Sequence, residues 1–404
     1  MIPRFKPYFN TEEFKAIINK KQGNIIHNFE EQFAKLVGSK YALSFSSGRI
    51  VLYALLKQLN IKKSNVLLPA YTCIVVPAAV TASDNNLCFV DVSLSDYNMK
   101  TKDIAPETAK NIKCVVPTNM YGYPLDVKEL REIVGKDVYI IEDAAQGILT
   151  KDVGKHSDAA FYSFNFEKQI FTFGGGMVTT NNEEIYNKLK KFKEENIVKE
   201  SFKSELIKTF LLMKTPVIFS NTLFRPISSL WEKNALIQWK KEKWDLNNSD
   251  LPAEKIYLSQ DQLYDYSKAQ AAVGLAQIKK IHESIKKRTE ISKYYNNRLK
   301  DVKEIILPPI KDGCTFSHYT IRVKNRNKFE KFMMKKKIQI NKVFDYSIPH
   351  LPVYKKYVKK SEEFPNSLTA GKNNANLPIY PQLLDNKNQI DHIIKSIKAF
   401  SKSV

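Results

Sequence analysis

Short apolar runs alternate with longer polar stretches between residues 40 and 180. Each run is apolar at consecutive positions, which is typical of strands that are buried on both faces of a sheet. Seven strands are predicted in this way, at Tyr41–Phe45, Val66–Leu68, Leu87–Val90, Cys114–Val116, Val138–Ile141, Ala159–Tyr162 and Met177–Thr179. The pattern therefore predicts an α/β fold with a mostly parallel central sheet flanked by helices.

The C-terminal part of the chain has a different pattern. It predicts a long helix over 266–300, a strand at Thr320–Val323, and helices over 328–337 and 389–400. These elements indicate a smaller α+β domain that the long helix joins to the sheet. The chain is therefore predicted to consist of a large domain, 1–266, and a second part, 267–404, made of the bridging helix and the small domain.

Residues 200–255 do not fit the alternation and are predicted to be an insertion. Lysines and prolines interrupt the apolar runs Leu206–Met213 and Val217–Phe219, which excludes a continuous membrane span. The three tryptophans follow among lysines, at Trp231, Trp239 and Trp244. Such a mixture suits peripheral contact of residues 206–244 with a membrane surface, and a dimer contact or a cover over the core fits equally well.

Composition and charge narrow the class of protein. The 404 residues are 43% hydrophobic, enough for two domains, and the four cysteines have no C-x-x-C spacing that would indicate a disulfide framework or a metal site. The first residues lack a secretion signal, so a cytoplasmic protein is expected. A net charge of +22 suits an anionic partner. Because the lysines are scattered and form no recognisable module, nucleic acid is not the expected partner.

Lys168 and Asp143 are the main candidates for chemistry. Lys168 lies between a predicted strand and the glycine turn Gly174–Gly176, and Asp143 follows another predicted strand. A desolvated lysine amine can form a Schiff base with a carbonyl cofactor, and a carboxylate can keep a pyridinium nitrogen protonated. Taken singly, the lysine fits a solvated surface charge and the aspartate a helix cap equally well. Together they indicate pyridoxal phosphate chemistry.

Other polar residues are predicted to lie near the same ligand. Ser47, Gly48 and Arg49 precede a helical run, so backbone amides at a helix N-terminus can hold a phosphate there. Ser163, at a strand end, can add a hydroxyl, although a turn residue would look the same. Gln146 follows Asp143 by three residues, on the same side of a predicted turn.

In their order and spacing these segments resemble the DegT/DnrJ/StrS aminotransferases. These are fold-type-I pyridoxal phosphate enzymes, most of which aminate keto sugars carried on nucleotides. The resemblance extends over nearly the whole chain. It rests on Phe29–Ala34, Ser47–Gly48, Leu68–Thr72, Tyr121–Pro124, Glu142–Gln146, Ser163–Lys168, Gly175–Gly176, Gln270–Ala272 and Asn376–Pro381.

The resemblance implies roles for individual residues. Lys168 would bind the cofactor covalently and then act as acid and base. Asp143 would pair with the pyridine nitrogen, and Gln146 would lie near the phenolic oxygen of the ring. The cofactor's phosphate would be bound by Ser47, Gly48, Arg49 and Ser163. Tyr71 and Cys73 would contact the cofactor, and Tyr121 and His350 would lie near the substrate.

Three positions depart from the family pattern. Cys73 stands where many members stack an aromatic ring on the cofactor, so Tyr71 or another ring would have to replace it. Arg49 stands where threonine is usual and adds charge beside the phosphate. Residues 263–265 replace an Asn-x-Arg segment that reaches the neighbouring subunit's phosphate in relatives, and Arg49 can compensate for that loss.

The expected function is that of a homodimeric aminotransferase. Glutamate, or glutamine, would supply the amino group for a nucleotide-linked keto sugar used in surface polysaccharide or lipopolysaccharide synthesis. One alternative is a pyridoxal-phosphate-dependent sugar dehydratase, which Lys168 disfavours because related dehydratases carry histidine at that position. The other is a non-catalytic sensor or scaffold that retains the fold.

Overall fold

The structure, a computed structural model, describes residues 1–20, 23–220, 226 and 263–403. The strands, numbered in chain order, are β1 Tyr41–Phe45, β2 Asn65–Pro69, β3 Asn86–Val90, β4 Ile112–Val115, β5 Tyr139–Asp143, β6 Ala159–Ser163, β7 Gly176–Thr180, β8 Ile305–Ile306, β9 Tyr319–Val323 and β10 Asn374–Leu377. The helices are α1 Thr11–Ile18, α2 Ile25–Val37, α3 Gly48–Gln58, α4 Val75–Ala82, α5 Pro106–Asn111, α6 Val127–Val134, α7 Glu183–Asn196, α8 Phe202–Met213, α9 Thr215–Ile218, α10 Lys268–Ile278, α11 Ile281–Leu299, α12 Arg326–Lys335, α13 Pro365–Asn373 and α14 Lys387–Ser401. Short 3₁₀ helices occur at Thr101–Asp103, Met120–Gly122, Ile348–His350, Pro352–Tyr357 and Pro381–Leu383.

The strands β1 to β7 form one sheet in the order β1-β7-β6-β5-β4-β2-β3. The neighbours from β6 to β3 are parallel, and β7 is antiparallel to both β6 and β1. Each strand predicted from the apolar runs lies in this sheet. The predicted α/β fold with a mostly parallel central sheet is therefore confirmed.

Both faces of the sheet are buried, which explains the consecutive apolar positions. In β6, Ala159 and Phe161 join the core that α3 and α7 share. The alternate residues Ala160 and Tyr162 join a second core, which includes side chains of α2 and α10. Because successive side chains of a strand point to opposite faces, helices on both sides demand apolar residues at every position.

Residues 266–300 form two helices, so the prediction of one long helix was wrong. The helix α10 ends at Ile278, and the backbone of Lys280 leaves the helical region with φ −118° and ψ 8° before α11 begins. The two helices pack differently. Gly274 lets the ring of Phe29 lie against the backbone of α10, where a Cβ would clash with it. The longer α11 is more polar and buries only some of its side chains.

The C-terminal residues form a second, antiparallel sheet in the order β10-β9-β8. The strand predicted at Thr320–Val323 is confirmed as β9, and the two predicted helices are confirmed as α12 and α14. Side chains of β9, α11, α12 and α14 share one core, and residues of the large sheet's loops, among them Tyr71 and Tyr121, also join it. The domain division at residues 266 and 267 remains a prediction.

The described part of the predicted insertion consists mainly of α8 and α9. Leu212 is buried, whereas several large apolar side chains of α8 are strongly exposed, among them Phe202 by 79%, Leu206 by 51% and Phe210 by 61%. In the residues that the structure describes, no helix has the length and apolar character needed to cross a membrane. The tryptophans at 231, 239 and 244 lie outside the described residues.

Candidate active site

A cavity of about 180 Å³ lies beyond the carboxyl ends of the parallel strands. Ligand sites of open α/β sheets are found at this edge. The residues that line the cavity are Ser47, Gly48, Arg49, Leu52, Cys73, Val75, Val76, Thr118, Asp143, Ala145, Gln146, Phe161, Ser163, Asn165, Phe166, Lys168 and Phe344. The structure thus brings together Ser47, Gly48, Arg49, Cys73, Asp143, Gln146, Ser163 and Lys168 from the residues predicted to form a site.

Lys168 is placed in the cavity by a tight loop between β6 and β7. Its backbone N–H donates to the carbonyl of Asn165 over 3.3 Å, and the preceding Glu167 has a left-handed backbone with φ 67°. At the end of the loop Gly175 has φ 103°, and a Cβ there would also clash with the ring of Tyr266. Glycine at this position is therefore required both by the turn and by the close approach of a ring.

Asp143, the last residue of β5, supplies a buried carboxylate that is only 3% exposed. The backbone N–H of Ala145 donates to its Oδ1 over 3.0 Å. Burial raises the pKa of the Asp143 carboxyl, and the positive charge of Lys168 opposes part of that rise. The cavity therefore holds a carboxylate with little access to water near a half-buried lysine amine.

Gln146 and Tyr121 are linked to each other, but only Gln146 lines the cavity. The Gln146 Oε1 accepts a hydrogen bond from the backbone N–H of Tyr121 over 2.9 Å. The Tyr121 hydroxyl lies 2.8 Å from the hydroxyl of Tyr71 and also donates to the carbonyl of Val343. Tyr121 thus holds the amide of Gln146 in place while its own ring is fully buried.

The third part of the site is the N-terminus of α3. Ser47 caps this helix, with its hydroxyl accepting from the backbone N–H of Ile50 over 3.4 Å. Gly48 and Arg49 form the first turn, and Ser163 at the end of β6 faces the same cavity. Free N–H groups and the partial positive charge of a helix N-terminus favour an anion, and Arg49 adds a full positive charge.

Besides Tyr121, two more of the predicted residues lie away from the cavity. Tyr71 is fully buried, and its hydroxyl is bonded to Tyr121 and to the carbonyl of Val343, at 2.9 Å from the latter. His350 is exposed in a 3₁₀ helix, where its Nδ1 lies 2.8 Å from the hydroxyl of Ser347. Neither residue lines the cavity in this structure.

Thr118 and Phe344 are among the residues that line the cavity but were not predicted from the sequence. Thr118 follows β4, so the rule that ligands bind at the carboxyl ends of strands would have indicated it. Its hydroxyl lies 3.1 Å from that of Thr72. Phe344 comes from the C-terminal part of the chain, and no local signal in the sequence places its ring at the cavity that Cys73 also lines.

Comparison with known proteins gives a consistent result. A sequence model of the DegT/DnrJ/EryC1/StrS aminotransferase family matches residues 9–212 and 264–398. An uncharacterized protein of Methanocaldococcus jannaschii is 28% identical over 426 aligned positions, which cover 100% of this chain and 97% of that protein. The GDP-perosamine synthase of Escherichia coli O157:H7 is 24% identical, with 99% of this chain and 98% of that protein covered. The stretch that the family leaves unmatched overlaps the predicted insertion.

Solved structures share the fold. A GDP-4-keto-6-deoxymannose-3-dehydratase with a trapped PLP-glutamate geminal diamine superimposes with a TM-score of 0.75, covering 98% of this chain and 100% of that chain. Its sequence is 19% identical. At that identity the likeness concerns the fold alone, so the reaction has to be argued from the residues of the site.

Proposed function

The chain belongs to the DegT/DnrJ/EryC1/StrS aminotransferase family, and we propose that it transfers an amino group from glutamate to a keto sugar carried on a nucleotide. Its cofactor is pyridoxal phosphate, which this family uses. The observation that carries the proposal is the single cavity in which a lysine, a buried carboxylate and a helix N-terminus meet. These three groups fit the aldehyde, the ring nitrogen and the phosphate of the cofactor.

We assign the phosphate to the N-terminus of α3. The backbone N–H groups of Gly48 and Arg49, the Arg49 guanidinium, and the hydroxyls of Ser47 and Ser163 supply the donors there. Charge-assisted hydrogen bonds to an anion are the strongest of this kind. A phosphate at this position would also be stabilised by the helix dipole.

Lys168 and Asp143 carry the reactive part of the proposal. Bound pyridoxal phosphate supplies a carbonyl for amine exchange and an electron sink for the carbon that gains or loses a proton. The Lys168 amine would anchor the cofactor and, once released, would move that proton. The Asp143 carboxylate holds a proton on the ring nitrogen, and its burial keeps water from competing for this role.

Cys73 and an aromatic side chain of the cavity would hold the ring of the cofactor. Cys73 lines the cavity where relatives carry an aromatic ring, and Phe344 lines the same cavity. Tyr71, proposed from the sequence as a replacement, is buried elsewhere. We therefore assign the ring-stacking role to Phe344, and Gln146 to the phenolic oxygen.

A homodimer is proposed by analogy with the family. One segment differs, because residues 263–265 replace the segment that reaches the neighbouring subunit's phosphate in relatives. Asp265 forms an ion pair of 2.8 Å with Lys193 of the same chain. Leu263 accepts a hydrogen bond from the backbone of Val198 over 2.7 Å. Neither side chain can supply the positive charge that an arginine would bring, which supports the assignment of Arg49 to the phosphate.

The substrate class can be tested with a panel of nucleotide-linked keto sugars. The net charge of +22 suits a substrate that carries a diphosphate. With pyridoxal phosphate and glutamate present, we expect 2-oxoglutarate and an amino sugar in equal amounts, with ping-pong kinetics. A deoxygenated keto sugar as product would identify a dehydratase instead. Cofactor uptake without either product would favour a sensor or scaffold.

Peripheral contact of residues 206–244 with the cytoplasmic membrane face is a second proposal. It is supported by the exposed apolar side chains of α8, among them Phe210 at 61%. We expect the protein to co-sediment with anionic vesicles at low salt, and serine substitutions at Leu206 and Phe210 to weaken this binding severalfold. Unchanged sedimentation of the double variant, or no binding by the native chain, would favour a dimer contact.

A further inference from the structure

Arg288 on α11 is a buried cation without an acidic partner in the described part of the chain. Its side chain is 3% exposed, and one guanidinium N–H donates to the carbonyl of Ser317 over 3.1 Å. Its Nε has no hydrogen-bond partner among the described residues. Burial lowers the pKa of the Arg288 guanidinium to about 10, and no carboxylate opposes this effect. An unpaired buried charge is strongly unfavourable unless something else compensates it.

Arg288 lines a small second cavity with further unpartnered polar atoms. The cavity has a volume of about 20 Å³. Its lining includes Tyr380, whose hydroxyl is buried without a partner in the described residues, and His318, whose Nε2 makes no hydrogen bond and lies 3.8 Å from a carboxylate oxygen of Glu167. Three orphaned polar atoms around one small cavity are unusual, because buried polar groups almost always find partners.

The charges around this cavity do not balance. Glu167 is its acidic residue, but the Arg4 Nε lies 2.9 Å from that carboxylate, and Asn341 also donates to it. Burial lowers the pKa of His318, the neighbouring Glu167 carboxylate opposes part of this shift, and the positive charges of Lys168 and Arg288 add to it. The net shift is downward, which favours the neutral imidazole. Arg4 and Arg288 bring two positive charges to this cavity and Glu167 brings one negative charge, so one positive charge is left uncompensated.

We propose that this cavity binds one small monovalent anion of the size of chloride, held by Arg288, Tyr380 and His318. The volume suits a single particle about the size of a water molecule, which excludes the carboxylate of a substrate with its carbon chain. A water molecule would satisfy the orphaned atoms but would leave the charge of Arg288 uncompensated. An anion satisfies both requirements.

The anion site lies directly behind the candidate active site. Glu167 lines the small cavity and Lys168 lines the large one, so adjacent residues of one loop face the two sites. A bound anion would hold His318 and Arg288 in place on the far side of that loop. The proposal does not rest on the proposed transfer reaction, and it can be tested on protein without substrate.

Thermal unfolding of the full chain in the presence of pyridoxal phosphate is the first test. Chloride is exchanged for the bulkier gluconate at constant ionic strength, so that general screening stays the same. A ligand that binds only the folded state should raise the melting temperature by about 1–2 °C for each tenfold increase in chloride once the site fills. A melting temperature that does not depend on chloride would overturn the proposal.

Two variants on the same helix separate the site from a general salt effect. Arg288→Met removes the buried charge and should abolish the chloride-dependent shift. Arg298→Met removes an exposed charge on α11 and should keep the shift. If both variants respond to chloride like the native chain, the effect comes from the surface and the proposal fails.

A milder substitution covers the case in which Arg288→Met does not fold. Tyr380→Phe removes only the orphaned hydroxyl. We expect about a tenfold higher chloride concentration to be needed for the same shift, as for the loss of one hydrogen bond to a charged ligand. An unchanged chloride dependence in Tyr380→Phe would contradict the proposed site.

Discussion

Replacement of Lys168 by alanine is expected to abolish amino transfer and the covalent attachment of the cofactor together. The amine is the one lysine amine that lines the cavity in the described part of the chain. It is proposed both to anchor the cofactor and to move the proton, so its loss removes two functions. We expect the rate of amino transfer to fall by at least about 10³-fold. Mass spectrometry after borohydride reduction should show one cofactor on the native chain and none on the variant.

An exposed lysine provides the matched control. The Lys151 side chain is 58% exposed and forms a surface ion pair of 3.5 Å with Asp312. Lys151→Ala should keep both the activity and the reduced adduct. If Lys168→Ala still gained the mass of the cofactor, another amine would be the anchor. A native chain that takes up no pyridoxal phosphate would refute the proposed function as a whole.

The sheet and its ligand edge could be predicted because both follow from local patterns. The run Val138–Ile141 predicts a buried strand from its own residues, and Asp143 comes at the end of β5 for the same reason. The same rule places Ser163 and Thr118 at one edge of the sheet. The turn at Gly175 is also local, since it needs a backbone with positive φ.

Contacts between distant segments could not be predicted in this way. Tyr71 was expected to contact the cofactor, but its hydroxyl is bonded to Tyr121 and to the backbone of Val343, far along the chain. Phe344 reaches the cavity from that same distant segment. The unpaired Arg288 could not be recognised either, because the sequence does not show which carboxylates lie nearby. Such features depend on how the second sheet packs against the first.

Asparagine at position 143 is expected to lower the amino transfer rate by about 10²–10³-fold, the usual effect of removing one preorganised electrostatic group. Asparagine keeps the size of the side chain and can still accept from the backbone of Ala145. It cannot carry the negative charge that holds a proton on the ring nitrogen. The folded protein should remain at least as stable, because a buried carboxylate with a raised pKa is lost. Activity and thermal unfolding measured on the same sample separate these two effects.

Glu142→Gln is the matched control, since it makes the same chemical change one residue earlier on β5. The Glu142 side chain points away from the cavity and accepts from the hydroxyl of Ser157 over 2.7 Å and the backbone of Gly154 over 2.9 Å. We expect its activity to be unchanged. Burial raises the pKa of the Glu142 carboxyl from 4.5 to about 7. The folded protein therefore holds this proton more tightly than the unfolded chain does. The resulting stabilisation is complete below the unfolded pKa and is lost as the pH rises through 7. The loss amounts to about 3 kcal/mol, and Glu142→Gln should remove it from the pH profile of unfolding. If Glu142→Gln lost activity as strongly as Asp143→Asn, the charge of β5 as a whole, and not the Asp143 carboxylate, would be what the reaction needs.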